Sequence, residues 1–420
     1  MQTHLADSFR NTPDGDVAER ILRSCVHCGF CLATCPTYQI LGNELDSPRG
    51  RIYLMKQVLE GATPTAKTQL NLDRCLTCRN CETTCPSGVE YGKLLDIGRH
   101  IVEEKVGRSV SETATRAALK TGLGTRLLFN SALKLGQGVR GLMPGFIKSR
   151  IPAAEAAGDW PAPRHARRML VLQGCVQPGI KPNINSATAR VLDRIGISLI
   201  AAGEAGCCGA LAHHLNDTED GLAAARRNID AWLPHLDAGA EAIVMTASGC
   251  GVMVKDYGWL LRNDRAYAEK AARVSAATKD ISEVLVAGRE ALSRLSIPGS
   301  SRASRKIAYH PPCTLQHGQQ LAGGVEALLS DAGFELTPVG EKHLCCGSAG
   351  TYSILQPEIA GQLKARKLGN LEAGAPEMIV TANIGCLTHL QSGTPIPVRH
   401  WVELLDEMMA ASRSPFRRPA

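Results

Sequence analysis

Two cysteine runs near the N-terminus decide the fold: Cys25-Val26-His27-Cys28-Gly29-Phe30-Cys31-Leu32-Ala33-Thr34-Cys35-Pro36 and Cys75-Leu76-Thr77-Cys78-Arg79-Asn80-Cys81-Glu82-Thr83-Thr84-Cys85-Pro86. Both read C-x2-C-x2-C-x3-C-P, which is the ligand spacing of bacterial ferredoxins with two [4Fe-4S] clusters. In that arrangement three closely spaced thiolates bind one cluster, and the fourth cysteine of the run reaches the other cluster. We therefore expect cluster 1 to be bound by Cys25, Cys28, Cys31 and Cys85. Cluster 2 is then bound by Cys75, Cys78, Cys81 and Cys35.

Composition narrows the class of protein. A chain of 420 residues with 44% hydrophobic residues is long enough for several domains with cores of their own. An aromatic content of 4% argues against a surface that stacks on bases, so no nucleic-acid partner is expected. The formal charge of +7 falls to about +3 once two clusters of about −2 each are counted. Sixteen cysteines with metal-site spacing indicate a reducing compartment, and neither a signal peptide nor a long apolar run is present.

The first domain, residues 1–108, is predicted to be an α-helical ferredoxin. Helices are expected before, between and after the cysteine runs, from Asp16 to Ser24, from Ile52 to Glu60 and from Tyr91 to Val106, whereas residues 1–15 look like a mobile arm. Arg49 and Arg51 lie between the two runs. They could donate charge-assisted hydrogen bonds near a cluster, or simply be solvated at the start of a helix.

Residues 109–165 are predicted to form a helical bridge and a linker rich in Ala, Pro and Gly. Basic residues alternate with apolar ones, so this segment could dock on a membrane or a partner, or bridge to the next domain. The basic residues are Arg126, Lys134, Arg140, Lys148 and Arg150. Residues 136–141 match the letters G-x-G-x-x-G, but no buried strand precedes them and Pro144 follows. A break in the helices is therefore expected there, and not a dinucleotide site.

An internal repeat accounts for the other eight cysteines. A predicted strand ends at Cys175 and another at Cys313, and thirty-two positions after each stands a Cys-Cys-Gly triplet. About forty residues further on, Cys250 and Cys386 each follow an apolar strand. Strands alternate with helices throughout, which indicates βαβ units and a parallel sheet in each half. We therefore predict two repeated α/β modules, module 1 at residues 166–295 and module 2 at residues 303–410.

The cysteines of each module are expected to converge, because ligands gather at the carboxyl ends of parallel strands. Four thiols in one place could bind a further iron–sulfur cluster or zinc, carry out dithiol chemistry, or be buried without a ligand. Adjacent cysteines are poor partners for a disulfide with each other. The candidate metal sites are Cys175, Cys207, Cys208 and Cys250 in module 1, and Cys313, Cys345, Cys346 and Cys386 in module 2.

The cysteine runs, the segment Ser47-Pro48-Arg49-Gly50-Arg51 and the two Cys-Cys-Gly modules together resemble the iron–sulfur subunits of bacterial glycolate oxidase. The resemblance extends from about residue 16 to about residue 410. Related architectures occur in iron–sulfur subunits for glycerol-3-phosphate or lactate oxidation and in heterodisulfide reductase. The heterodisulfide-reductase type has a C-x2-C pair at the end of each module, whereas here Ala247 and Asn383 replace its first cysteine. That difference leaves a smaller cluster, zinc or unligated thiols as alternatives.

The resemblance implies an electron-transfer subunit of an oxidoreductase complex that converts glycolate, or D-lactate, without NAD or oxygen as acceptor. It implies two partners, a catalytic FAD-dependent subunit and a second FAD-binding subunit, and a quinone or other membrane acceptor. FAD is then expected only in those partners, and this chain alone is not expected to be catalytic. A cytoplasmic location, peripheral on the cytoplasmic face of the inner membrane, goes with that role.

Two other functions fit the residues. One is a thiol–disulfide reductase whose active site lies in the Cys-Cys-Gly modules, and the other is an assembly protein with structural zinc there. Several histidines lie close to cysteines in the sequence. His27 and His310 could tune a cluster, bind a metal or move a proton. His213 and His214 are expected on a helix surface.

Overall fold

A computed structural model describes residues 1–144, 151–295 and 305–411. These ranges do not include Lys148, Arg150 or the first two residues, 303 and 304, of the predicted module 2. Within the described residues no helix is both long and apolar enough to cross a bilayer.

The N-terminal domain is helical around the two cysteine runs, as the sequence predicts. Threonine or serine side chains cap three of its helices, and Pro48 begins the helix that follows Ser47. The helices pack their apolar faces into one core that also includes Cys25 and Cys81. The α-helices are Pro13–Ser24, Pro36–Leu41, Pro48–Leu59, Ala66–Asp73, Asn80–Thr83 and Tyr91–Val106, with 3-10 turns at Phe30–Leu32 and Glu44–Asp46.

The prediction of a mobile arm at residues 1–15 is wrong. The N-terminal ammonium donates to the Cys25 carbonyl at 3.0 Å, and the Ala6 N–H donates to the Leu59 carbonyl at 2.9 Å. Leu5 is buried in the ferredoxin core. These contacts depend on residues far along the chain, so the polar composition of the segment does not reveal them.

The bridge consists of the helices Val110–Gly124 and Arg126–Gly138 and a 3-10 turn at Arg140–Leu142. The second helix contains Gly136 and Gly138 of the G-x-G-x-x-G match, whereas Gly141 lies in the 3-10 turn, and no strand precedes them in the described residues 1–144. One side of the bridge packs on module 1, where Lys120 forms ion pairs with Asp217 and Asp220. The other side is exposed to solvent.

Each module contains a four-stranded parallel sheet with the same order of strands. In module 1 the order is β2-β1-β3-β4, and in module 2 it is β6-β5-β7-β8. The strands are β1 Arg167–Val171, β2 Ile197–Ala201, β3 Ile243–Met245, β4 Thr278–Asp280, β5 Lys306–His310, β6 Glu335–Leu336, β7 Met378–Thr381 and β8 Val398–His400.

Helices connect the strands and cover both faces of the sheets. In module 1 they are Gln177–Ile180, Asn183–Arg194, Ala210–His214, Thr218–Asp237, Ser248–Lys255, Tyr257–Leu260, Ala268–Ala277, Ile281–Ala287 and Arg289–Leu295. In module 2 they are a π-helical turn at Thr314–Gly318 and the α-helices Gly324–Asp331, Tyr352–Leu355, Pro357–Glu372, Ile384–Gln391 and Trp401–Ala411.

The two modules share one hydrophobic core. A single cluster of buried residues includes Val171 and Leu199 of module 1 together with Tyr309 and Val380 of module 2. The helices Asn183–Arg194 and Trp401–Ala411 pack against each other, and Asp406 accepts ion pairs from two arginines of module 1. The repeat therefore folds as a face-to-face pair of modules.

Candidate iron–sulfur sites and cysteine clusters

The two cysteine runs form adjacent cavities. The first has a volume of about 430 Å³ and is lined by Cys25, Cys28, Cys31 and Cys85, with Cys81 at its edge. The second has a volume of about 310 Å³ and is lined by Cys35, Cys75, Cys78 and Cys81. Each cavity thus has the thiols that the spacing assigns to one cluster, including the crossed fourth cysteine. The donor set is the one that a [4Fe-4S] cluster requires.

The loops that carry these thiols have matching backbone conformations. His27 and Thr77 occupy equivalent positions and both have positive φ, at 56° and 51°. Gly29 and Arg79 also correspond and have φ of 88° and 56°. Such left-handed turns let the loop wrap a cluster, and the Thr77 N–H already donates to Cys75 Sγ at 3.4 Å.

Arg51 is buried beside the second cavity. Its guanidinium donates to the Asn71 carbonyl, to Thr37 Oγ1 and to Asp46, and its side chain is 1% exposed. Burial alone would lower the pKa of Arg51. The nearby Tyr91, thiol and Asp46 groups raise it further than burial lowers it, so the charge is retained. Arg51 therefore places a fixed positive charge next to cluster 2.

Arg49 has a different environment from Arg51. It lines the first cavity, and its side chain is about one third exposed and forms an ion pair with Glu44. His27 also lines this cavity and is only half-buried, but its Nε2 has no hydrogen-bond partner among the described residues.

The structure brings together the four thiols of each module. In module 1, Cys175 and Cys208 donate hydrogen bonds to Cys207, which lowers the pKa of Cys207 to about 3. In module 2, Cys313 and Cys345 are 3.7 Å apart between sulfurs. Hydrogen bonds from Cys313 and Cys346 likewise lower the pKa of Cys345.

The topology explains this convergence. In each sheet the first and third strands are neighbours, and the connections leave them in opposite directions, which makes a crevice at their carboxyl ends. Cys175 and Cys250 follow β1 and β3, and Cys313 and Cys386 follow β5 and β7. The Cys-Cys pair comes from the loop after the edge strand.

The glycine after each cysteine pair is required by geometry. Gly209 and Gly347 have φ of 86° and 90°, which side chains rarely adopt. A Cβ on Gly347 would also stand 2.7 Å from the Ala360 carbonyl oxygen, and one on Gly209 would stand 2.6 Å from that of Gly221. The long helix of each module, Thr218–Asp237 or Pro357–Glu372, thus packs directly on the turn that presents the thiols.

The two thiol clusters differ in exposure. All four cysteines of module 2 are buried, whereas Cys175, Cys207 and Cys250 of module 1 are only partly buried. Module 2 is also the one next to the ferredoxin cavities. Cys78, a ligand assigned to cluster 2, belongs to the same apolar cluster as Cys313 and Cys345.

Polar contacts hold this junction between the ferredoxin domain and module 2. The Asn80 amide donates to the carbonyls of Thr34 and His343, each at 3.0 Å. The Tyr352 hydroxyl donates to the Arg74 carbonyl, also at 3.0 Å. Sequence reasoning did not find this junction, because its partners are more than 250 positions apart.

The expectation that His213 and His214 lie on a helix surface is wrong for His213. Its side chain is 10% exposed and its Nε2 lies 3.5 Å from Asp96 Oδ2 of the ferredoxin domain. His310 is almost completely buried at the end of β5, among the thiols of module 2.

The fold and these sites define the class of protein. The chain is an iron–sulfur electron-transfer protein in which a ferredoxin domain for two [4Fe-4S] clusters is joined to a duplicated cysteine-rich α/β module. Comparison with known proteins agrees: residues 21–89 match the family model of a 4Fe-4S dicluster domain, and residues 169–255 and 307–391 each match that of a cysteine-rich domain.

The chain belongs to the family of glycolate oxidase iron–sulfur subunits. It is 55% identical to the glycolate oxidase iron-sulfur subunit of Escherichia coli over 97% of this chain and 99% of that protein. It is 31% identical to the probable glycolate oxidase iron-sulfur subunit of Bacillus subtilis, over 89% of each. Lactate utilization protein A of Bacillus licheniformis is 29% identical over 241 residues, which are 55% of this chain and 96% of that protein.

Proposed function

We propose that this chain is the electron-transfer subunit of a glycolate dehydrogenase complex. A flavoprotein partner removes two electrons and two protons from glycolate to give glyoxylate, and a second FAD-binding subunit completes the complex. When bound, the two clusters supply one-electron transfer. The observation that carries the proposal is the pair of adjacent four-thiol cavities, one with an exposed thiol, Cys28, and the other joined to module 2.

The ligand assignment is part of the proposal. Cys25, Cys28, Cys31 and Cys85 hold cluster 1, and Cys35, Cys75, Cys78 and Cys81 hold cluster 2. The crossed fourth cysteines bind the two runs to each other through both clusters. Loss of either cluster should therefore loosen the whole ferredoxin domain.

Electrons enter at the surface of the first cavity. Cys28 is exposed, and two apolar side chains beside it, Val26 and Phe30, are 66% and 61% exposed. Apolar side chains next to an exposed ligand suit the docking of a partner that brings its flavin close. The catalytic flavoprotein is the partner that we assign to this surface.

Electrons leave toward the membrane, where a quinone or another membrane component is the acceptor. We place the chain as a peripheral protein on the cytoplasmic face of the inner membrane. Support comes from the bridge, where Leu127, Leu135 and Leu142 are 80%, 72% and 90% exposed. Lys134 is exposed among them, and leucines with basic neighbours suit an anionic lipid surface.

Replacing one ligand of each cluster tests the relay. In the assembled complex, Cys28→Ser and Cys78→Ser should leave flavin reduction by glycolate unchanged, because the flavin lies in a partner. Electron flow from glycolate to the natural membrane acceptor should stop. Thr34→Ser, a conservative change in the same loop at a residue that is not a ligand, is the control. Undiminished flow in either cysteine variant would contradict the proposal.

A second candidate function is a thiol–disulfide reductase with its active site in the modules. The partly exposed thiols of module 1 and the lowered pKa of Cys207 favour it, since a thiolate is the nucleophile in disulfide exchange. Iron quantification and EPR of variants that lack Cys207, Cys208, Cys345 or Cys346 separate the two functions. The reductase would be favoured if loss of Cys207 abolished disulfide reduction but left the electron flow from glycolate unchanged.

A further inference from the structure

His310 is the last residue of β5, and its side chain is 1% exposed. Neither ring nitrogen forms a well-aligned hydrogen bond within the described residues, and the nearest group that could accept one is the Cys386 thiol. A buried imidazole with both nitrogens unsatisfied is costly, because each lost its bond to water on folding. Such a residue calls for a ligand that is not a protein side chain.

The atoms nearest to this imidazole are sulfur ligands. One ring nitrogen of His310 and the sulfurs of Cys346 and Cys386 all lie within 4.8 Å of one another. Cys313 and Cys345 continue the cluster with their sulfurs 3.7 Å apart. The Asn383 amide also donates to Cys386 Sγ at 3.5 Å and so helps to fix the position of that thiol.

Module 1 is a natural comparison, because its thiols converge in the same way. The position that corresponds to His310, three residues before the first module cysteine, is Leu172, which is buried and apolar. The imidazole is therefore a property of module 2 alone. A histidine kept only for packing would not need to replace leucine at this place.

The thiols of module 2 suit the metal centre that the sequence predicts there, and we propose that His310 is a further ligand of that centre. Thiolate together with imidazole suits zinc or an iron of an iron–sulfur cluster. The site includes Cys346 and Cys386 as the nearest thiolates, with Cys313 and Cys345 completing the donor set. It lies beside Cys78, so an iron–sulfur cluster here would extend the path from the second ferredoxin cavity. The inference goes beyond the relay, because neither the substrate nor the partner enters it.

Three variants of the full chain, purified without oxygen, test the proposal. His310→Leu copies module 1 and removes the imidazole, whereas His310→Cys replaces it with another soft ligand. His389→Leu is the matched control. His389 is partly buried near the same thiols but does not belong to the group of residues within ligand distance.

The measurements are iron, sulfide and zinc per chain after a challenge with chelator, and spectroscopy of protein labelled with 15N-histidine. Wild-type protein should contain metal beyond the two ferredoxin clusters. Nitrogen coupling in the EPR of a third cluster identifies iron, and nitrogen among the neighbours of zinc by X-ray absorption identifies zinc. His310→Leu should lose the nitrogen signal and about tenfold or more in metal affinity. His310→Cys and His389→Leu should keep the metal.

Two results would overturn the proposal. One is a wild-type chain that contains only the metal of the two ferredoxin clusters. The other is a His310→Leu chain that keeps the additional metal and its nitrogen signal. The EPR of the ferredoxin clusters reports whether a variant is folded, and retention of metal by His310→Cys tests ligation if His310→Leu does not fold. These assays use no glycolate, so a failed relay would not affect them.

Discussion

Arg51 shows how one side chain can set both the stability and the redox property of a site. It is fully buried, and its carboxylate partner among the described residues, Asp46, is 0% exposed and also accepts an ion pair from Arg74. A buried charge that loses its partner destabilises a protein more than the pair stabilised it. The fixed charge beside the second cavity also favours the reduced form of a cluster there, because that form is more negative.

We expect Arg51→Met to lower the reduction potential of cluster 2 and to lower the free energy of unfolding by about 3–5 kcal/mol. Redox titration followed by EPR, and denaturation by urea, measure the two effects. Arg49→Met is the control, since its partly exposed pair with Glu44 contributes about 1 kcal/mol or less. Equal effects of the two variants on both readouts would contradict the special role of Arg51.

At the scale of the elements, the repeat could be predicted from the sequence because strand ends and cysteines recur in the same order. The helix Tyr91–Val106 has the predicted bounds, since apolar periodicity marks its length and Gly107 follows its end. The helices of the bridge could be predicted from the sequence, but their packing could not. Alternation of basic and apolar residues could not tell which face packs on module 1 and which remains exposed.

The exposed face of the bridge gives a prediction about membrane binding. Replacing Leu127 and Leu135 together by Ser should reduce sedimentation of the chain with vesicles that contain anionic lipid, because each side chain would lose its burial among acyl chains. Circular dichroism and the ferredoxin EPR should not change. Val110→Ser, at the far end of the bridge, is the control because Val110 is also exposed. Leu133→Ser is not suitable, because the Leu133 side chain lies against Gly179 of module 1.

Unchanged sedimentation of the Leu127/Leu135 double variant would show that the bridge does not hold the chain to the membrane. Loss of sedimentation in Val110→Ser as well would point to a general effect on surface apolarity. Vesicles of neutral lipid alone separate the contribution of Lys134 and its basic neighbours from that of the leucines.

At the scale of the whole molecule, the contacts between domains were not predictable from the sequence. The thiols of each run are local, so their spacing identifies them, whereas His213 meets Asp96 and Cys78 meets Cys345 only after the whole chain has folded. The same holds for His310, whose neighbours come from three different loops of its module. Local patterns predicted the donors, and only the tertiary fold showed which donors share a site.

The ion pair between His213 and Asp96 should make the junction of the ferredoxin domain with module 1 depend on pH. Burial alone would lower the pKa of His213, but the hydrogen bond and charge of Asp96 raise it above 6.5. Burial alone would raise the pKa of Asp96, but the hydrogen bond and charge of His213 lower it below 3.8. The stabilisation by His213 is thus full below pH 6.5 and is lost as the pH rises through its raised pKa. The stabilisation by the Asp96 carboxylate is lost only in strong acid, because its pKa is lowered.

We therefore expect His213→Gln to destabilise the chain most in mildly acidic solution and progressively less at alkaline pH. Thermal unfolding from about pH 5 to about pH 9 measures the difference from wild type. Comparison of the two proteins cancels the contribution of the neighbouring His214, which is present in both. His4→Gln, at an exposed position, is the control. A stability difference between wild type and His213→Gln that does not vary with pH would contradict the role of the His213–Asp96 ion pair.

The core that the two modules share also bears on how such chains can be assembled from parts. A module taken alone would expose the face that its counterpart covers, whereas the ferredoxin domain has a core of its own and meets module 2 through a small apolar cluster and a few hydrogen bonds. The match to lactate utilization protein A covers nearly all of that protein with 241 residues, about the length of two modules. For gene fusion and gene loss we therefore expect the two modules to be gained or lost together, because neither keeps its shared buried face without the other.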